Sequence, residues 1–215
     1  MINYLQNLDT QFFLFLNGLH NSFFDFLMFW ISDRFIWIPL YLFLTFLIIK
    51  KYRKRAVWIL LLVALMIMVS DQLSVFIKNL VQRPRPCHNE EIAALVHLVN
   101  GKCGGAFGFV SSHAANSFAI AVFLIPFLTS YFKYFGWVII FWAAVISYSR
   151  IYLGVHYPGD ILFGAFTGCL IGYSFSLFYF NLLIKSPLFS KWSFFNNVSD
   201  RMAEIFCNFA RPNLT

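Results

Sequence analysis

Several runs of 18 or more residues in this chain are almost free of charge, and that feature limits its possible folds more than any other. A helix needs about 20 mostly apolar residues to cross a bilayer, where no water is present to satisfy its backbone. Apolar segments lie at about 12–32, 35–49, 56–77, 112–132, 135–153 and 161–184. The last four are long enough to span. The second is short, and the first carries Asn17, Gly18, His20, Asn21 and Asp25, so its part through His20 also suits an interfacial amphipathic helix. The expected fold is an all-α, polytopic membrane helix bundle of about six transmembrane helices, with five spans plus an interfacial helix as the alternative. Residues 1–185 form the transmembrane domain. Residues 186–215 form a tail in which Phe195, Val198, Met202, Ile205 and Phe209 recur at helical spacing, the pattern of a short amphipathic helix on the cytoplasmic membrane surface.

The composition points the same way. Of 215 residues 60% are hydrophobic and 12% charged, about half the charged share of a soluble domain. The 29 phenylalanines fit lipid-facing surface. The net charge of +7 is split among sites with different jobs, so it is not a nucleic-acid footprint. Residues 1–9 lack a basic n-region and a small-residue cleavage site, so the spans themselves are expected to drive insertion.

Orientation follows from Lys50, Lys51, Arg53, Lys54 and Arg55, the densest basic cluster, which the positive-inside rule places in the cytoplasm. One span later the chain reaches Lys78, Arg83 and Arg85, then a glycine-rich loop and Ser111-Ser112-His113. No span intervenes, so these residues share the outer face. Between His113 and Ser149 lie 35 residues, enough for one helix down and one back. Ser149, Arg150, His156 and Asp160 therefore return to that face. Cations at outer span ends run against the charge rule, and ionisable groups at a membrane are costly and usually functional. Lysine and arginine forks beside serine hydroxyls and a helix N-terminus make a phosphate cradle.

Two histidines and an aspartate beside such a cradle suggest a nucleophile, an orienting group and a general acid. His156 and Asp160 are four apart, so the carboxylate can fix one ring nitrogen and leave the other to attack. His113 would protonate the leaving oxygen. The outer face offers only Glu90, Glu91 and Asp160 as carboxylates, too few for a two-metal phosphatase, so no metal or other cofactor is expected. Cys169 and Cys207 lie far from the cluster, which removes a cysteine nucleophile.

Lys78-x6-Arg85-Pro86, Ser111-Ser112-His113 and Ser149-Arg150-x5-His156-x3-Asp160 resemble, in order, the three motifs of the type 2 phosphatidic acid phosphatase family, over roughly residues 20–185. The resemblance implies that His156 forms a phosphohistidine, with Asp160 its partner and His113 the general acid. It also implies that Lys78, Arg85, Ser111, Arg150 and the N–H of Ser112 hold the phosphate. The family's second motif commonly reads P-S-G-H; here it is Val110-Ser111-Ser112-His113. The implied activity is lipid phosphate hydrolysis at the outer face of a bacterial inner membrane, on a substrate embedded in the lipid bilayer. Undecaprenyl diphosphate is favoured, then lipid A, phosphatidylglycerol phosphate and phosphatidic acid. A lipid-binding or transport protein on the same fold is the non-catalytic alternative.

Weaker signals complete the expectations. Arg83 is additional to the motif and reads as a solvated loop charge, or as a contact to a second phosphate. Asp71 is expected to orient Lys78 or to face the bundle interior. Cys87 and Cys103 flank the outer loop and are expected to pair in an oxidising periplasm. His20, His88 and His97 have no assignable partners. Gly101, Gly104, Gly105 and Gly108 suggest a flexible lid on the substrate side.

Overall fold

A computed structural model describes residues 2–183. The tail helix expected after residue 185 lies outside the described residues. Among the described residues seven α-helices follow one another: α1 Ile2–Gly18, α2 Ser22–Ser32, α3 Ile38–Tyr52, α4 Ala56–Val81, α5 Ser112–Leu128, α6 Phe135–Tyr152 and α7 Pro158–Phe178.

Three helical stretches among the described residues are long and apolar enough to cross a membrane, 34–81, 135–152 and 158–181. The first has 48 residues, or about 72 Å of straight helix, far more than one span. It folds back at Arg53, where φ is 53° and ψ is −124°, so that α3 packs beside α4. The basic cluster forms this bend. α5 is apolar but has 17 residues.

The expected span at 12–32 is not one helix. α1 and α2 meet at 115° across Leu19–Asn21, and Asn21 starts the second helix by accepting a hydrogen bond from the N–H of Phe24. The polar residues that weakened that segment as a span are its bend. α1 carries exposed apolar side chains at Tyr4, Leu5, Leu8, Phe12 and Phe15. Its other side packs Phe13 edge-to-face on Tyr157 at 5.3 Å and directs Asn17 to the carbonyls of Ile151 and Tyr152.

The tightest packing is between α5 and α7. Gly164, Gly168 and Gly172 repeat every four residues and present bare backbone to α5. A Cβ at Gly164 would stand 2.7 Å from the Ser111 carbonyl, and one at Gly168 or Gly172 would collide with the carbonyl of Ala115 or Ala119. Small residues therefore set how closely the helix carrying His113 approaches the helix carrying Asp160.

The two ends of α5 are chemically distinct. At its C-terminal end Lys51 donates to the Phe127 carbonyl at 2.6 Å, and the hydroxyl of Tyr52 donates to the same oxygen at 3.1 Å. At its N-terminal end Lys78 reaches the hydroxyl of Ser112. The Lys50–Arg55 cluster and the polar stations thus lie at opposite ends of one bundle, as span counting requires.

Candidate active site

His156 sits in the short turn between α6 and α7. The turn is tight because Gly154 adopts φ +75°, where a Cβ would stand 2.7 Å from the His97 carbonyl. The N–H of Val155 closes the turn by donating to the Arg150 carbonyl. His156 is 2% exposed, and its Nδ1 lies 3.3 Å from Oδ2 of the fully buried Asp160. Pro158 opens α7, and Asp160 occupies its first turn. Its carboxylate also accepts the N–H of Tyr157 at 3.0 Å, the reciprocal bond of a helix cap. With the Nδ1 proton donated to Asp160, Nε2 is the unprotonated nitrogen. Burial lowers the His156 pKa to about 4, although Asp160 acts in the opposite sense. The ring is therefore neutral at pH 7.

Ser111 caps α5, its hydroxyl accepting the N–H of Ala114 and its own N–H donating to the Asp160 carbonyl at 3.0 Å. That last bond ties the second motif directly to the third. Because Ser111 is fully buried and its oxygen serves the helix, it shapes the loop, while Ser112 presents the hydroxyl that meets Lys78. The N–H groups of the first turn of α5 have no intrahelical acceptor, which suits them to an anion. His113 follows on that turn, exposed to a cavity, and within electrostatic reach of Arg150, His156, Lys78 and Arg85. All three motifs therefore converge.

The cations are held individually. Arg85 donates from Nε to the Phe107 carbonyl and from Nη1 to the Cys103 carbonyl, both at 3.3 Å. The backbone N–H of Arg85 bonds to the Ala106 carbonyl, so segments 83–85 and 106–108 lie side by side. Burial lowers its pKa from the ordinary arginine value, with Asp160 opposing. Arg150 donates to the hydroxyl of Ser32 on α2, and its buried Nε has no hydrogen-bond partner among the described residues. Cys87 and Cys103 are joined in a disulfide, so the loop that holds Arg85 is covalently closed.

Several sequence expectations are revised by this geometry. Arg83 is not a solvated charge. Its Nη1 meets Asp160 at 3.0 Å, its Nη2 meets Asp9 of α1 at 2.8 Å, and the guanidinium lies 3.9 Å from the ring centre of Tyr157. Those partners were invisible to spacing alone. Nor is the glycine-rich loop a free lid at Gly108: a Cβ there would stand 2.9 Å from Asp160 Oδ2 and 3.6 Å from His156 Nδ1. Only glycine lets the loop lie against that pair. His20 and His97 do have partners, since their rings stack at 3.7 Å and His97 Nε2 pairs with Asp25 at 2.8 Å. Asp71 lines the cavity and bears electrostatically on Lys78, but the hydrogen bond of Lys78 goes to Ser112. Asp9, Ser32 and Asp25 are site-side residues that spacing did not reveal, because each is far from the motifs in sequence.

A cavity of about 480 Å³ opens beside Ser112 and His113 and runs between α3, α4 and α5. Its walls are mainly apolar, with Tyr41, Leu44, Val63, Ile67, Ile120 and Leu124 among them. A buried, neutral imidazole with one free nitrogen thus stands among three cations, next to an apolar slot in a membrane helix bundle. That arrangement can bind a phosphate carried on an apolar tail and attack it.

Comparison with known proteins agrees. Residues 56–184 match the PAP2 superfamily. A lipid A 4'-phosphatase of Bacteroides thetaiotaomicron is 43% identical over 183 residues, covering 84% of this chain and 79% of that protein. A lipid A 4'-phosphatase of Porphyromonas gingivalis is 34% identical over 174 residues, covering 80% and 73%. Among solved structures, a transmembrane PAP2 type phosphatidylglycerolphosphate phosphatase from Bacillus subtilis superposes with a TM-score of 0.62 at 25% identity, covering 84% of this chain and 88% of that one. LpxE of Aquifex aeolicus shares the fold with a TM-score of 0.57 at 24% identity, over 77% and 92%. The chain belongs to the PAP2 superfamily and is a multi-pass membrane lipid phosphatase, a hydrolase of phosphoric esters.

Proposed function

We propose that this protein is a metal-independent lipid A phosphatase, acting at the periplasmic face of a bacterial inner membrane through a phosphohistidine on His156. The lipid's phosphate would lie among Lys78, Arg85, Arg150 and the first N–H groups of α5, with an acyl chain in the apolar cavity beside His113. The unpartnered Nε of Arg150 and the cationic surroundings fit a dianion. Nε2 of His156 attacks phosphorus and the P–O bond to the lipid breaks. The leaving oxygen takes a proton from His113, which must enter the step protonated. Water then attacks the N–P bond with His113 as base, releasing inorganic phosphate and restoring both histidines. Asp160, bonded to His156 and Arg83, is committed as an orienting group rather than as a metal ligand.

The observation that carries the lipid A assignment is the 43% identity to the Bacteroides thetaiotaomicron lipid A 4'-phosphatase over most of both chains. The undecaprenyl diphosphate expected from the motifs has no comparable support, so it ranks behind, as do phosphatidylglycerol phosphate and phosphatidic acid. The outer-face placement rests on the Lys50–Arg55 bend lying at the opposite end of the bundle from the site. The whole described bundle, with residues 184 and 185, is taken as one catalytic domain followed by a cytoplasmic tail.

The test is phosphate release from these four lipids in detergent, with and without chelator, for wild type and His156→Ala. Fastest turnover of lipid A, insensitivity to chelator and loss of activity in the variant are expected. Preference for another lipid overturns the substrate, loss with chelator overturns the metal-free mechanism, and turnover by His156→Ala overturns the nucleophile.

A further inference from the structure

We propose that Asp9 and Arg83 are positioning residues for the hydrolysis, bracing Asp160 and through it the attacking nitrogen of His156. The proposal rests on the reading of His156 as nucleophile. It assigns a role in the chemistry to α1, which lies wholly outside the residues that match the family.

The contacts form a continuous chain. Asp9 takes the N–H of Gly159 on Oδ1 at 2.8 Å and an Arg83 nitrogen on Oδ2 at 2.8 Å. Arg83 gives its other terminal nitrogen to Asp160 Oδ1 at 3.0 Å. Asp160 uses its second oxygen for the Tyr157 N–H and for His156 Nδ1. Both oxygens of Asp160 are thus engaged from different directions, which fixes the carboxylate plane. A carboxylate held by histidine alone could turn, and the imidazole would turn with it.

The guanidinium is suited to this place. Its planar fork spans two carboxylates, and its face covers the ring of Tyr157. Arg83 and Asp9 side chains are each 17% exposed and Asp160 is fully buried, so swinging Arg83 toward substrate would strip a buried anion of its partner. The bracing geometry therefore competes with any role for Arg83 as a phosphate ligand.

α1 is fastened on both sides of His156. Asn17 bonds to the carbonyls of Ile151 and Tyr152 before it, and Asp9 bonds to Gly159 after it. A Cβ on Gly159 would stand 2.7 Å from Asp9 Oδ2, so the approach leaves no slack. The exposed apolar side chains of α1 face elsewhere, which leaves Asp9 free to dock on the catalytic turn.

Kinetics of Arg83→Met, Arg83→Lys and Asp9→Asn against wild type and His156→Ala test this, on the lipid that wild type turns over fastest and with proteins that elute intact in detergent. A misplaced nucleophile predicts a fall in kcat of roughly 10- to 100-fold for Arg83→Met with KM within about threefold. Arg83→Lys keeps the charge without the fork and recovers only part of the rate. Asp9→Asn lowers kcat less.

The acid limb of kcat/KM adds a readout that a plain fold staple would not move in this way. Losing the cation moves it to higher pH in Arg83→Met; losing the anion moves it to lower pH in Asp9→Asn. Asp160, Arg85, Arg150 and His113, which also surround His156, are unchanged in both variants, and substrate ionisation is common to all. A tenfold rise in KM with kcat intact makes Arg83 a phosphate ligand and overturns the proposal. Wild-type kcat and unmoved acid limbs in both variants overturn it too. Turnover by His156→Ala would instead sink the nucleophile reading on which it stands.

Discussion

His156 Nδ1 and Asp160 Oδ2 lie 3.3 Å apart across the first turn of α7, and the same carboxylate oxygen accepts the N–H of Tyr157. One side chain thus caps a helix and fixes a tautomer. Replacing Asp160 by Asn keeps the size but offers the wrong group to Nδ1. Under the phosphohistidine reading, kcat should fall by about 100-fold or more with little change in KM. Steady-state kinetics on the preferred lipid measure this, and a near-wild-type kcat would detach Asp160 from the chemistry.

Burial holds the His156 pKa near 4, below the ordinary 6.5. The unfolded chain then binds more protons than the folded one between pH 6.5 and 4. Stability should decline as pH falls through that window and level off below it, by up to about 3 kcal/mol from this residue. In His156→Gln the decline should be shallower, as thermal unfolding in detergent at stepped pH will show. Equal slopes in the two proteins would contradict the depressed pKa.

The Cys87–Cys103 disulfide ties down Cys103, whose carbonyl accepts Arg85 Nη1, shortly before Phe107, whose carbonyl accepts Arg85 Nε. A loop with a sequence separation of 16 contributes about 3 kcal/mol in the chain-entropy account. Cys103→Ser, or reductant, should therefore lower the unfolding midpoint and raise KM several-fold while leaving His156 in place. An unchanged KM would show that Arg85 is held without the covalent tie.

Val63 faces the apolar cavity from α4. Val63→Trp adds bulk there without touching the polar end. KM for a long-chain lipid phosphate should rise about tenfold or more, whereas a short water-soluble phosphomonoester should be hydrolysed as by wild type. Parallel effects on both substrates would mean that the cavity does not hold the tail.

Much of the architecture is legible in the sequence, because hydrocarbon imposes a simple rule of length and apolarity on each crossing. The same rule placed Lys78, His113 and His156 at one end before any contact was visible. The broken segment at 12–32 shows its limit. Asn17, His20, Asn21 and Asp25 announce that the stretch is unusual, but whether it bends, and by 115°, depends on what those polar groups find to bond. Asn17 finds the carbonyls that end α6, and Asp25 finds His97 and Tyr152.

The three motifs, being local patterns of residue type and spacing, single out His156, Asp160 and the cations without a structure, and the roles proposed for them start from there. The tertiary structure alone decided what Arg83 pairs with, because its carboxylate partners lie 74 and 77 residues away. It alone revealed Asp9, an acid without a motif, and the glycine at 108 that lets the outer loop rest on the His156–Asp160 pair. Spacing along a chain records covalent neighbours and helical faces. Which distant charge satisfies a buried one is settled only when helices pack and each burial demands a partner.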